Sequence, residues 1–124
     1  MLVVKTYLDK SPINGIGLFA GEFIPKGKKI WIFTPKLDLA FKNVQVKSKH
    51  IFDYLHKYCF KHNGHYILCI DDARFINHSE TPNADDKTFP YTIAARDIQE
   101  GEEITSDYRE LGTTEEDKKF NYQI

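Results

Sequence analysis

The 124-residue sequence has no long apolar run, only two cysteines and no excess of basic residues. A transmembrane helix needs about 18 or more consecutive apolar residues, and no run here approaches that length. The N-terminal segment 1–5 alternates like a strand and lacks the apolar core and the cleavage site of a signal peptide. We therefore expect a chain with no membrane contact and no export signal.

The two cysteines, Cys59 and Cys69, lie ten residues apart and form no CxxC motif. They fit neither a disulfide framework nor a zinc knuckle. We predict two free thiols in a reducing compartment, and hence a cytoplasmic protein.

The formal net charge of -1 argues against direct binding of nucleic acid, because proteins that bind its phosphates normally carry a marked basic excess. The charges are nonetheless unevenly distributed. Residues 1–66 contain eleven lysines and four acidic residues, whereas residues 97–117 contain nine acidic residues and one arginine. The acidic segment is either a surface that attracts a cationic substrate or simply a solvated surface.

Turn residues recur along the chain and the apolar runs between them are short, which predicts a mainly β fold with one short helix. With 41% apolar and 14% aromatic residues, the chain is too hydrophobic to be disordered, and its length suits one domain. We expect this domain at residues 1–111, followed by a short tail at 112–124. The tail, loosely held or helical at first, carries two aromatic residues that suggest a part in the substrate or cofactor site. The predicted strands are 2–7, 17–20, 29–33, 66–70, 91–95 and 103–107.

One segment has helical spacing of its apolar residues. Ile51, Leu55 and Tyr58 recur at helical intervals, which predicts a helix over 48–59 with Ser48 as its cap and its aromatic residues packed in the core. The form Ile-x-x-Gly-x-x-Ile occurs twice, at 24–30 and 98–104. Each copy predicts a tight turn that leads into a strand, with the isoleucines in the core.

Three motifs carry the chemistry. The first, at 11–20, places Asn14-Gly15 and Gly17 in a turn where a ligand can approach the backbone closely, although such a turn is more often a plain hairpin. It lacks the third glycine and following helix of a dinucleotide-binding site, and no GxxxxGK[ST] phosphate loop is present.

The second motif is the decapeptide RFINHSETPN at 74–83, which places amides, an imidazole and a hydroxyl beside large apolar residues. An unpaired buried amide or imidazole costs about 1–3 kcal/mol, so the segment indicates a polar site supported by a core. The alternative is an Asx turn closed by Pro82. The third motif, GEEITSDY at 101–108, ends in Tyr108, which is either a site residue or a half-buried tyrosine with a solvated hydroxyl.

The order of these motifs, from Ser11 to Tyr108, resembles the SET domain of protein-lysine methyltransferases, and more specifically the small stand-alone bacterial SET proteins. The resemblance implies a fold of small curved β-sheets with a C-terminal pseudoknot. It implies transfer of a methyl group from S-adenosylmethionine to a lysine side chain of a protein. Tyr108 matches the catalytic tyrosine, which orients the amine and need not act as a base. The residues that match the cofactor site are Gly15, Ile16, Gly17, Asn77 and His78.

The same resemblance suggests a substrate channel. Tyr58 is a channel candidate, with helix-end packing as the alternative, and Phe75, Phe120 and Tyr122 are weaker candidates for the channel or for covering the adenine. Glu80 stands where many family members have cysteine, and no cysteine follows Tyr108, so we expect a zinc-free protein without any metal site. The channel must then be completed by the tail or by another protomer of a homodimer.

Three functions remain in competition. The first is a protein-lysine methyltransferase acting on a lysine-containing, basic protein or peptide. The alternative is a weak or inactive SET-fold module that binds peptides or S-adenosylmethionine. The third is a small β-rich domain with another ligand, such as a sugar or a nucleotide.

Overall fold

The computed structural model describes residues 1–42 and 45–111 and, for Asn121–Tyr122, the backbone. The chain is mainly β with one α-helix in these ranges, as predicted. The strands are β1 (Thr6–Lys10), β2 (Ile16–Ala20), β3 (Lys29–Ile32), β4 (Leu39–Phe41), β5 (Gln45–Val46), β6 (Phe60–His62), β7 (His65–Leu68), β8 (Asn77–His78), β9 (Ala84–Asp85), β10 (Tyr91–Ala94), β11 (Thr105–Ser106) and β12 (Asn121–Tyr122). The helix α1 spans Lys49–Tyr58, and a 3-10 turn spans Asp72–Phe75.

The strands form several small sheets. β1 and β2 make an antiparallel hairpin, while β3-β10-β9 and β4-β7-β6 are three-stranded and antiparallel. Two pairs are parallel: β8 with β11 and β5 with β12. The parallel pair β8-β11 returns the C-terminal segment against the middle of the chain, and it positions the site described below.

The main core is built around the two Ile-x-x-Gly-x-x-Ile copies. Their four isoleucines are completely buried, and Ile24 and Ile98 exchange backbone hydrogen bonds of 2.9 and 2.8 Å. Both glycines of the copies have positive φ, as predicted for the turns. The two turns therefore pack against each other. The other fully buried members of this core are Leu18, Ala20, Ala84 and Ala94.

A second cluster surrounds Trp31 and includes the buried Cys69. Both cysteines are present as thiols, as predicted, and both are buried. Burial raises the pKa of the Cys69 thiol, which stays protonated at neutral pH. In the described ranges no helix has the length and apolar character needed to cross a bilayer.

The predicted helix is confirmed within a residue at each end, with Ser48 as its N-cap residue, but the predicted core packing of its aromatic residues was wrong. Ser48 occupies the N-cap position without a side-chain capping hydrogen bond, and no residue of the helix is fully buried. The helix lies on the surface, with Ile51 and Tyr54 exposed, because only one side of it meets the sheets.

The predicted first strand, 2–7, was also wrong. The hairpin strand begins at Thr6, and Leu2 forms only an isolated bridge to Trp31. In the predicted strand 103–107 only Thr105–Ser106 is regular. The strands of two or three residues, such as β8 and β9, were missed because so few residues show no periodicity.

Candidate functional site

The second and third motifs meet in the parallel pair β8-β11. Thr105 aligns with Asn77 and Ser106 with His78, and the Ser79 amide donates to the Ser106 carbonyl at 3.0 Å. This pairing places Tyr108, two residues beyond β11, beside the end of β8.

Asn77 connects all three motifs. Its side chain is buried, and Nδ2 lies 3.0 Å from the Asn14 carbonyl, 3.3 Å from the Ile16 carbonyl and 3.0 Å from Glu103 Oε2. The cost of burying this amide is offset by acceptors of the protein itself. Asn77 therefore links the glycine turn to the third motif through buried hydrogen bonds.

Glu103 is the acceptor at the centre of this network. Ser11 Oγ donates to its carboxylate, with distances of 2.7 and 2.8 Å to the two oxygens. A Cβ atom on Gly17 would lie 2.5 Å from Glu103 Oε2, so the missing side chain of Gly17 makes room for this carboxylate. Contact of the Gly17 backbone with a cofactor stays a prediction.

Gly15, the first glycine of the turn, has open space around it, unlike Gly17. Gly15 has a φ of +49°, and a Cβ there would meet nothing within 4 Å. The next residue, Ile16, is 51% exposed. The turn thus offers open backbone and one apolar side chain on the surface.

Asn83 closes the decapeptide by clamping the third motif. Its Nδ2 donates to the Glu103 carbonyl at 2.8 Å, and its Oδ1 accepts from the Thr105 amide at 2.8 Å. Asn83 is 2% exposed. The Asx-turn alternative does not account for this side chain, whose two bonds span 20 and 22 residues.

His78 and Tyr108 are joined through the backbone. The Tyr108 amide donates to His78 Nδ1 at 3.1 Å, and the two rings lie 5.2 Å apart. Because Nδ1 accepts, the neutral imidazole carries its hydrogen on Nε2. The adjacent Asp107 forms a two-pronged ion pair with Arg109, at 2.9 and 2.7 Å, which lowers the pKa of Asp107 to about 2. Asp107 is thus ionised and fixed beside the site.

The Tyr108 hydroxyl donates to the Ile76 carbonyl at 2.6 Å. Burial, and secondarily the negative charge of Glu103, raises the pKa of this phenol. Tyr108 is therefore a protonated hydrogen-bond donor at neutral pH.

Tyr108 and Tyr58 line one cavity of about 70 Å³. The Phe75 ring packs edge-on behind Tyr58 at 5.8 Å, outside the cavity lining. Phe120 lies outside the described residues, as does the side chain of Tyr122, whose backbone pairs with β5. Two further lining residues, Asp86 and Glu110, were missed, because nothing in the sequence separates them from solvated carboxylates.

Comparisons with known proteins place these features in context. The family described as "SET domain" matches residues 15–109. A Plasmodium falciparum protein named "Putative histone-lysine N-methyltransferase 1" is 30% identical over 132 residues, which cover 94% of this chain and 2% of that protein. The chain therefore spans about 2% of the length of this curated relative.

Solved structures share the fold. The crystal structure of a Plasmodium falciparum "putative histone methyltransferase" has a TM-score of 0.62 at 24% identity, over 85% of this chain and 93% of that one. The Chaetomium thermophilum assembly ctPRC2, in an autoinhibited conformation bound to S-adenosylmethionine, has a TM-score of 0.64 at 20% identity, over 87% of this chain and 15% of that one. At these identities the similarity is evidence of the fold.

Proposed function

The chain belongs to the SET-domain family, and we propose that it transfers a methyl group from S-adenosylmethionine to a lysine side chain of a protein substrate. One observation carries the proposal. The β8-β11 pairing brings His78 and a protonated Tyr108 together, and Asn77 of β8 bonds to the glycine turn. Tyr108 also lines a cavity with Tyr58. We call the cavity the acceptor side, where the lysine would bind, and the glycine turn the cofactor side, where S-adenosylmethionine would bind.

On the cofactor side, the residues present fit S-adenosylmethionine. When bound, this cofactor supplies a methyl group activated by a positively charged sulfur. The open backbone at Gly15 and the exposed Ile16 suit a ligand that has polar groups and a flat ring. The half-exposed His78 retains Nε2-H as a donor. We infer that Asn77 and Gly17 contribute mainly by holding this turn in place.

On the acceptor side, the transfer requires a neutral lysine nitrogen. A lysine with a pKa of about 10.4 costs about 4 kcal/mol to neutralise at a pH of about 7.4. Tyr108 cannot take this proton, because its raised pKa keeps the phenol already protonated at neutral pH. We infer that Tyr108 orients the amine and that the lysine loses its proton to water before the transfer.

The finer features belong to the same proposal. We infer one SET domain over residues 1–111, with the tail at 112–124, or a second protomer of a homodimer, completing the channel. Exposed acidic residues such as Asp97, Glu100 and Glu110 favour a basic protein or peptide as substrate. The two buried free thiols suit a cytoplasmic protein, and the sequence after Tyr108 offers no cysteine for zinc.

The test uses labelled S-adenosylmethionine with a lysate from the protein's own source, followed by identification of the labelled protein. We expect label on lysine, and its loss in Tyr108→Phe with cofactor binding by calorimetry unchanged. Tyr7→Phe is the matched control, because Tyr7 stacks on Phe19 in the hairpin and does not line the cavity. Cofactor binding without any methyl transfer would instead favour a SET-fold binding module, and absence of cofactor binding would contradict both.

A further inference from the structure

Asp86 is a carboxylate that the methyl-transfer proposal above does not use. It follows β9 directly and lines the cavity that contains Tyr58 and Tyr108. Its Oδ1 accepts from the Thr92 hydroxyl at 2.7 Å. Its Oδ2 is buried and has no hydrogen-bond partner within 3.5 Å among the described residues, although the Ser106 hydroxyl is close enough to the carboxylate to lower its pKa. A buried oxygen without a donor is costly, so this one calls for a partner.

The surroundings of Asp86 favour a cation as that partner. Burial raises the pKa of Asp86, and the nearby carboxylates of Glu110 and Asp85 raise it further, against weaker opposing effects of the Thr92 and Ser106 hydroxyls. Glu110 lines the same cavity and pairs with Lys87 at 3.4 Å. A cation that entered the cavity would therefore meet two carboxylates.

Two of the basic residues at the cavity, Arg74 and Lys57, are engaged elsewhere. The Arg74 guanidinium donates to the carbonyls of Ile70 and Asp71 and lies 4.6 Å from the Phe75 ring centre. The Lys57 ammonium lies 5.1 Å from the ring centre of Tyr58. In the described part of the chain, neither oxygen of Asp86 is bonded to a basic side chain.

We propose that Asp86 recognises the ε-amino group of the acceptor lysine, by accepting one of its N-H bonds and opposing its charge. This inference rests on the proposed function and deepens it by naming a specificity-determining residue. The contact needs both a positive charge and an N-H on the entering group. A neutral side chain lacks the first, and a fully methylated ammonium lacks the second.

The test measures binding of small probes, because the protein substrate is not identified. The probes are n-butylammonium, which reproduces the end of a lysine side chain, n-butyltrimethylammonium, which has the charge but no N-H, and 1-butanol, which is neutral. Binding is followed by NMR titration of the backbone amides of Tyr58, Ser106 and Tyr108. The test variant is Asp86→Asn, and the matched control is Asp85→Asn. The control removes the same charge from the neighbouring residue, whose side chain does not line the cavity.

We expect n-butylammonium to bind the unmodified protein more tightly than either other probe. Asp86→Asn should weaken n-butylammonium about tenfold or more, as expected for a charged hydrogen bond, and change 1-butanol less than about twofold. Asp85→Asn should change both by less than about twofold. Thermal unfolding checks that each variant folds, and Asp86→Ser replaces Asp86→Asn if the latter does not.

Three results would overturn the inference: no binding of n-butylammonium, equal losses of n-butylammonium and 1-butanol in the Asp86 variant, or an equal effect of Asp85→Asn. The titration contains no methyl donor, so its outcome is independent of methyl transfer. Selective, Asp86-dependent binding in a protein that transfers no methyl group would support the amine site while contradicting the proposed function. An unchanged KM for a lysine peptide in an active Asp86→Asn enzyme would contradict the amine site alone.

Discussion

Gly17→Ala tests whether the second glycine exists to accommodate Glu103. The new Cβ would lie 2.5 Å from Glu103 Oε2, 2.9 Å from its Cδ and 3.1 Å from Ser11 Cβ. The carboxylate is the end of a flexible side chain, so moving it away would cost little free energy if no hydrogen bonds held it. It is held by Ser11 and Asn77, and moving it breaks those hydrogen bonds.

The cost follows from these contacts. Overpacking a well-filled site costs about 1–3 kcal/mol, and a hydrogen bond to a charged group contributes about 1.5–3 kcal/mol. We expect Gly17→Ala to lower the free energy of unfolding by about 2–4 kcal/mol, since part of each contribution is recovered by relaxation. Urea denaturation measures this change, and calorimetry should show weaker binding of S-adenosylmethionine because Asn77 then holds the turn less firmly.

A double-mutant cycle with Glu103→Ala isolates the proposed cause. If the clash with the carboxylate is responsible, Gly17→Ala should cost less than about 1 kcal/mol once Glu103 is truncated. The matched control is Gly15→Ala, where the space is open and only the positive φ opposes a side chain, at about 1–2 kcal/mol independent of Glu103. A Gly17→Ala cost that stays the same in the Glu103→Ala background would refute the reasoning.

Three further predictions concern the clamp, the ion pair and the tyrosine. Asn83→Ala should lower the free energy of unfolding by about 2–4 kcal/mol in urea denaturation, because it leaves the Glu103 carbonyl and the Thr105 amide without partners; a loss below about 1 kcal/mol would contradict the clamp. The pKa of Asp107 falls from 3.8 to about 2 on folding, so its stabilisation is complete above about pH 4 and is lost as the pH falls toward 2. Arg109→Leu should flatten the acid limb of stability measured against pH, and an unchanged limb would rule out the ion pair as its source. The raised pKa of Tyr108 predicts that the phenol stays protonated through the neutral pH range, so a rate limb in that range that shifts with a fluorotyrosine at this position would contradict its role as a donor.

Elements with enough residues to show a period were predictable. The helix at Lys49–Tyr58 has three apolar residues at helical spacing, and strands such as Ile16–Ala20 and Tyr91–Ala94 are bounded by turn residues. β8 and β11 contain two residues each, and their pairing joins positions 28 residues apart. No local pattern encodes such a contact, and only the order of the motifs indicated that these segments meet.

The candidate site divides in the same way. The sequence motifs identified which residues belong to the site, but they did not indicate the hydrogen-bond partners of Asn77 and Glu103. A buried amide indicates that acceptors exist without indicating where they are in the chain. The carbonyls of Asn14 and Ile16 became acceptors only because the hairpin β1-β2 brings the turn against β8.

Asp85 and Asp86 show why the acidic residue of the acceptor side was not predictable. The two neighbours are chemically identical in the sequence, yet the Asp85 carboxylate accepts from the Lys87 amide while Asp86 lines the cavity. Asp85 ends β9, where it aligns with Ile93 of β10, and Asp86 is the next residue. Successive side chains of extended backbone point to opposite sides, so the position of β9 on β10 decides which aspartate faces inward. A shift of one residue would exchange their roles without changing any local property of the sequence. The charge of the proposed lysine-binding cavity is therefore set by the pairing of β9 with β10, and mutations that alter this register should change amine binding even where both aspartates are retained.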